Sequence, residues 1–318
     1  MSGIPRALAF LGPQRFEPTL ARAVAALGIE GDLATVTAGW QEREREVEEL
    51  HEHLGGRAVN LELHRRGEAV FAADAEFAGA YRRRQELFRQ MQDIYALRLD
   101  AAMSPCLALA ERPGHERLLE EERAAALEGV RALDEAHAGR MAEVHAEFDA
   151  RWRPAERDAL RHERAEIARL IGDSTALAIA GGHVAVLANR LKLFDLLALT
   201  GDRPVLAWSG GAMACAERVV LFHDHPPHGT GHAQLLDAGL GLAGGLVFLP
   251  HARRRLDLGD TIKTSLLARR FTALAAVVLE DGASLTWRLG EGWSADAGCL
   301  KLGEDGALTP LTVQGVAA

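Results

Sequence analysis

The chain has few cysteines and no long apolar segment, and each of these features limits the kind of protein and the cell compartment that we expect. Only 3 of its 318 residues are cysteine (Cys106, Cys215 and Cys299), and they follow no metal-ligand spacing. Sparse, widely spaced cysteines are typical of reduced thiols in a cytosolic protein. No stretch approaches the roughly 20 apolar residues of a membrane span, and the first apolar run is too short for a signal peptide. We therefore expect a cytoplasmic protein without a membrane partner.

The chain also lacks an excess of basic residues. Its 36 Lys and Arg residues are outnumbered by 45 Asp and Glu, which gives a net charge of -9. Binding to nucleic acid needs a net basic face, so nucleic acid is not an expected partner. The arginine triplets 82–84 and 253–255 are short, and each is interpreted as a solvated charged face.

Short apolar segments alternate with helix-like segments near both ends of the chain. The runs "RALAFLG", "DLATVTAGW" and "AVNLELH" predict strands early in the chain, and "ALAIAGG", "PVLAW" and "GLVFL" predict later ones. Strands separated by helices are typical of an α/β fold, a mainly parallel sheet flanked by helices. Asp281-Gly282, between two alternating runs near the end, predicts a hairpin.

Residues 69–170 have almost no strand pattern and are rich in Ala, Glu, Arg and Leu. Apolar residues at helical spacing predict long helices, with breaks at Pro105 and Pro113 and a third helix that starts at Pro154. We interpret the segment as a helical insertion into one α/β domain made of residues 1–68 and 171–318.

The insertion has two interpretations. A packed helical subdomain without chemistry is favoured, and a lid or a dimerisation arm is the functional alternative. Its long apolar stripes are compatible with a homodimer.

Small residues surround a single serine in "VLAWSGGAMA". Ser209 follows a strand-like run, and Gly210 and Gly211 come directly after it. This pattern predicts a sharp strand-to-helix turn that presents the hydroxyl. The alternative is that Ser209 caps the helix that follows, a common role for serine.

Ligand sites in open α/β sheets collect at the carboxyl ends of strands, where Ser209 and His251 are both predicted to lie. A serine nucleophile needs a base and an acid that orients the base. His251 is the expected base, because it immediately follows a predicted strand. Asp224 is the expected acid, with Glu217 as the alternative.

The same chemistry needs N–H donors for the oxyanion that develops on the substrate. Backbone N–H groups of Gly210 and of Gly181 or Gly182 are the candidates, since glycine lets a backbone approach a substrate closely.

Four histidines (His223, His225, His228 and His232) surround Asp224 in a loop rich in proline and glycine. Their spacing matches no defined ligand set, so we predict an active-site loop and no metal ion. No other motif points to a cofactor.

Four segments resemble, in the same order, parts of the cyanophycinase and alpha-aspartyl dipeptidase family: "AGGHVAVLANRL", "LAWSGGAMA", "GLGLAGGLVFLPHARRRL" and "TALAAVVLEDG". Members of that family are serine peptidases on a class I glutamine amidotransferase-like fold. The resemblance is clearest over residues 176–289 and weak over the first 65. It implies that Ser209 is the nucleophile and His251 the base, with oxyanion donors at Gly182 and Gly210.

The chain departs from the family pattern at two positions, and the helical insertion is not part of the family core. Gly210 stands where alanine is usual, and His183 stands where a small or amide residue is commoner. Serine at the turn argues against glutamine hydrolysis. The candidates for the substrate pocket are Gly181, His183, Trp208, His225 and Arg253.

The expected reaction is acyl transfer, in which a small peptide or amide substrate is cleaved through a Ser-His-acid site. One alternative is an inactive relative that binds a partner through the helical insertion. The other is an esterase of the α/β-hydrolase type, whose nucleophile turn "AWSGG" nearly matches.

Overall fold

The computed structural model describes residues 4–224 and 231–313 of the chain. Within these ranges the strands are β1 (Ala7–Leu11), β2 (Leu33–Val36), β3 (Ala58–Asn60), β4 (Ala176–Ile179), β5 (Val205–Trp208), β6 (Arg218–Leu221), β7 (Gln234–Ala238), β8 (Leu246–Pro250), β9 (Ala275–Leu279), β10 (Ser284–Arg288), β11 (Gly292–Ala295), β12 (Cys299–Leu302) and β13 (Leu308–Pro310).

The helices are α1 (Leu20–Ala26), α2 (Glu48–His53), α3 (Leu63–Ala73), α4 (Ala75–Ala110), α5 (Glu116–Trp152), α6 (Asp158–Gly172), α7 (Val184–Leu193), α8 (Leu196–Thr200), α9 (Gly210–Cys215), α10 (Ala252–Arg255) and α11 (Thr261–Arg270). Two 3-10 helices cover Ala38–Arg43 and Pro154–Glu156.

The main sheet has seven strands in the order β11-β10-β1-β5-β4-β2-β3. The five strands from β1 to β3 in that order are parallel, and β10 and β11 are added antiparallel at one edge. Side chains of β1 alternate between two hydrophobic clusters, with Leu8 and Phe10 in one and Ala9 and Leu11 in the other. Burial on both faces is what a parallel sheet covered by helices requires. The predicted α/β fold, a mainly parallel sheet flanked by helices, is confirmed.

A second sheet, in the order β13-β12-β9-β8, carries the end of the chain. Strands β8 and β9 are parallel, and Pro250 is paired with Leu279 at their carboxyl ends. The hairpin predicted around Asp281-Gly282 is wrong, because β9 belongs to this sheet and β10 to the main one. The turn joins two sheets, a long-range arrangement that local turn residues do not specify.

Two long helices, α4 and α5, form an antiparallel pair. The break predicted at Pro105 is wrong, since α4 continues through it to Ala110, and the chain turns only around Pro113. Proline removes one helical hydrogen bond, and burial of Met103 and Cys106 on either side of it offsets that loss. None of the described helices combines the length and the apolar character needed to span a bilayer.

A buried ion pair attaches the two long helices to α11. Arg270 Nε on α11 lies 2.6 Å from the Asp134 carboxylate on α5, and their side chains are only 2% and 3% exposed. The Tyr95 hydroxyl on α4 donates to the same carboxylate at 2.7 Å, and burial raises the pKa of Tyr95. This charged cluster joins α4, α5 and α11 in the interior of the protein.

Candidate active site

Ser209 lies at the turn between β5 and α9. Its backbone has φ 52° and ψ -123°, a strained conformation for a residue with a side chain. The turn is tight, because a Cβ at Gly211 would lie 2.3 Å from the carbonyl oxygen of Ile179. The Ser209 side chain makes no capping hydrogen bond to α9. The hydroxyl is therefore presented outward from the turn, and the capping alternative does not describe it.

The imidazole of His251 lies within hydrogen-bond distance of this hydroxyl. Ser209 Oγ lies 3.1 Å from His251 Nε2 across 42 positions of the chain. His251 directly follows β8 and also has a positive φ, 58°. Burial, followed by the positive charge of Arg255, lowers the pKa of His251 to about 4. The ring is therefore neutral at pH 7, the state that can accept a proton.

A glycine pair packs directly against the serine. A Cβ at Gly181 would lie 2.9 Å from Ser209 Cβ and 3.0 Å from the nitrogen of Gly210. Gly182 has φ +118°, a conformation that side chains rarely adopt. Hydrogen bonds outside the helices and strands of the described residues include none from the N–H of Gly182 or Gly210. The N–H groups of Gly182 and Gly210 therefore lie near the Ser209 hydroxyl without a backbone acceptor in the described residues.

Neither carboxylate expected as the acid is bonded to His251. Asp224 accepts a hydrogen bond from the N–H of Asp257 at 3.0 Å. Glu217 lies 3.5 Å from the N–H of Gly245, which precedes the amino end of β8. His251 is at the other end of that strand, about 17 Å away for five residues of extended chain. Both carboxylates therefore bind backbone N–H groups and not the His251 ring.

Asp281 is a carboxylate near His251 that the sequence patterns did not indicate. Leu279 pairs with Pro250, so Asp281 leaves β9 beside the point where His251 leaves β8. Asp281 is the carboxylate whose charge acts on the imidazole, in the direction that raises its pKa. Its Oδ1 is buried without a hydrogen-bond partner in the described residues, and its Oδ2 lies 3.3 Å from Arg254. Its position after an apolar strand was a usable signal, which the hairpin interpretation obscured.

The candidates for the substrate pocket have different locations. Gly181 adjoins the serine. His183 is exposed and caps α7, because its ring accepts a hydrogen bond from the N–H of Val186 at 3.3 Å. Trp208 is 7% exposed and packs in the hydrophobic cluster of Ala9 and Leu11, so it is a core residue. Arg253 is exposed, and its backbone N–H donates to Glu280 at 2.8 Å.

The remaining candidate, His225, lies outside the described residues, as does His228 of the histidine-rich loop. Among the residues that the structure describes, no three potential metal ligands lie together.

The sequence matches no protein-family model and no curated protein. A solved structure does match, that of a peptidase from an acI-B1 Actinobacterium, at 14% identity and a TM-score of 0.50. The match covers 98% of this chain and 96% of that one. The two proteins therefore share a fold over nearly their whole lengths.

Proposed function

We propose that the protein is a serine hydrolase that cleaves a peptide or amide bond. The observation that carries the proposal is the 3.1 Å contact between Ser209 Oγ and His251 Nε2, made by a serine held in a strained turn at the end of a parallel strand. A hydroxyl within hydrogen-bond reach of a neutral imidazole is the arrangement that nucleophilic catalysis needs.

In the proposed reaction, Ser209 Oγ attacks the carbonyl carbon and its proton passes to His251 Nε2. The tetrahedral intermediate then collapses, the C–N bond breaks, and His251 gives the proton to the leaving amine. Water then attacks the acyl carbon and gives a proton to His251 Nε2, and the bond between the acyl carbon and Ser209 Oγ breaks as His251 returns the proton to Oγ. The low pKa of His251 supports this role, because the ring of the free enzyme is neutral and can accept the serine proton.

The N–H groups of Gly182 and Gly210 are the proposed oxyanion donors. Donors that are already oriented stabilise the negative charge of the transition state without reorganisation. The close packing of Gly181 on the serine supports this arrangement, since it brings the glycine pair and the nucleophile together.

Asp281 is the proposed orienting acid in place of Asp224 or Glu217. The chain order is then Ser209, His251, Asp281, whereas α/β-hydrolases have the order serine, acid, histidine. This order, and the location of the histidine strand in a second sheet, disfavours the esterase alternative.

Arg255 is a candidate for binding an anionic group of the substrate. Its guanidinium makes no ion pair with a described carboxylate, and burial alone lowers its pKa. It lies close enough to His251 to act on the charge of the ring. An arginine near His251 that has no carboxylate partner in the described residues favours a substrate that carries a carboxylate.

The shared fold with a peptidase is consistent with a peptide substrate. The rival proposal is an inactive relative that acts as a scaffold through α4 and α5. The contact between Ser209 and His251 favours the enzyme, because a scaffold has no need of it.

Digestion of a defined mixture of short peptides, followed by mass spectrometry, tests the proposal. We expect the wild-type protein to produce new amino termini and Ser209→Ala to produce none. Equal cleavage by both proteins, or none by a folded wild type across peptides with and without carboxylate side chains, would contradict it.

A further inference from the structure

A large cleft lies between the helical pair and the α/β body, away from Ser209. It has a volume of about 830 Å³ and is lined by residues of α4, α5, α6, α7, α8 and β7. Helix α7 connects the two places, since its cap His183 follows the glycine pair while Leu191 to Leu193 line the cleft. The ten residues of α7 extend over about 15 Å, from the glycine pair at one end to the cleft at the other. Its volume is in the range of small-molecule sites.

One wall of the cleft contains Arg84, which the sequence analysis interpreted as part of a solvated face. Its side chain is only 9% exposed. The guanidinium stacks 3.9 Å from the ring centre of Phe148 and 4.5 Å from that of Tyr81. Its Nε is buried with no hydrogen-bond partner in the described residues. The nearest carboxylate is that of Asp149, at 4.0 Å, and its side chain is 63% exposed.

Other basic side chains of the cleft have closer partners. The ion pairs are Lys192 with Asp237 at 2.6 Å, Arg164 with Asp195 at 3.4 Å and Arg153 with Glu156 at 3.4 Å. Arg84 is thus the cation of the cleft with the least compensated charge. A cleft-lining guanidinium that is mostly buried and only weakly paired favours an oxyanion as its partner.

Apolar side chains form much of the remaining wall, chiefly Phe77, Leu160, Leu191, Leu193, Leu196 and Leu240. We propose that the cleft is a second binding site, for an amphipathic organic anion whose carboxylate pairs with Arg84 and whose hydrocarbon part packs on these side chains. The proposal is independent of the chemistry at Ser209.

Calorimetric titration with octanoate, 1-octanol and acetate tests the proposal on the full chain. We expect saturable binding of octanoate, at least about tenfold weaker binding of the uncharged alcohol, and no measurable binding of acetate. No saturable binding of octanoate, equal affinity for the alcohol, or acetate binding as tightly as octanoate would overturn the proposal.

Two variants locate the site. Arg84→Gln should weaken octanoate binding at least about tenfold, and Arg140→Gln, an exposed control on α5 outside the cleft, should not. Ala142 lines the cleft and is exposed, so Ala142→Phe should fill the space without disturbing the core and should also weaken binding. If Arg84→Gln does not fold, the Ala142 variant decides. Unchanged affinity in the folded variants would overturn the proposal.

Discussion

The pH dependence of Ser209 reactivity follows directly from the environment of His251. Burial and Arg255 lower the pKa of this ring to about 4. At pH 5.5 an imidazole with the ordinary pKa of about 6.5 is only about a tenth neutral, whereas this one is almost wholly neutral. We therefore expect the rate of labelling by a fluorophosphonate probe to be nearly equal at pH 5.5 and pH 7.5, and to fall only as the pH approaches 4.

The second arm of this experiment changes the charge beside the ring. Removing a positive charge favours the imidazolium form, so Arg255→Gln should raise the pKa of His251 and move the midpoint of the profile upward. Burial remains in that variant, so the midpoint should stay below 6.5. Arg253 is exposed and is not among the charges acting on His251, so Arg253→Gln should leave the midpoint unchanged. A wild-type midpoint near 6.5, or one that Arg255→Gln does not move, would refute the reasoning.

Three further predictions concern packing and charge. Gly181→Ala places a methyl group 2.9 Å from Ser209 Cβ and should slow probe labelling at least about tenfold. The control Gly172→Ala, whose methyl group would have no atom within 4 Å, should not slow labelling. Equal labelling rates for the two variants would contradict the described turn. Asp281→Asn should slow probe labelling roughly 10³-fold, whereas Asp224→Asn should slow it by less than about twofold. The reverse ranking of the two variants would restore Asp224 as the acid. Asp134→Asn leaves the Arg270 charge buried without its partner and should lower the free energy of unfolding, measured in urea, by about 3–5 kcal/mol. Glu135→Gln, at the exposed neighbouring position, should lower it by less than about 1 kcal/mol. Similar losses in the two variants would show that the buried pair adds little stability.

The sequence was sufficient to predict the parallel part of the main sheet and the placement of Ser209 and His251 at strand ends. Alternating apolar runs and helices have a local periodicity, so strands such as β1 and β5 were predictable. The contact between Ser209 and His251 was predictable because each residue directly follows a strand, and the carboxyl ends of strands are where sites form in open α/β sheets.

The proposed acid, Asp281, was not predictable in the same way, because its position depends on pairing between distant strands. Asp281 is brought near His251 by the parallel register of β8 and β9 in the second sheet. Local turn chemistry at Asp281-Gly282 indicated a hairpin, and nothing local reveals that the flanking strands separate into different sheets. Nearness in the chain favoured Asp224, whose carboxylate is instead used by the backbone of Asp257.

Burial of charge was also beyond the reach of sequence patterns. Arg84 stands in a run of three arginines, which is typical of an exposed helix face. It is buried because α5 brings Phe148 over its guanidinium, a contact between helices that the periodicity of α4 alone does not specify.

Peptide mapping of the fluorophosphonate adduct tests the central claim most directly. We expect one stoichiometric adduct on Ser209 Oγ in the wild-type protein and its loss in a folded His251→Ala variant. An unlabelled wild type, or an adduct on Ser209 that forms equally fast without the imidazole, would contradict the account.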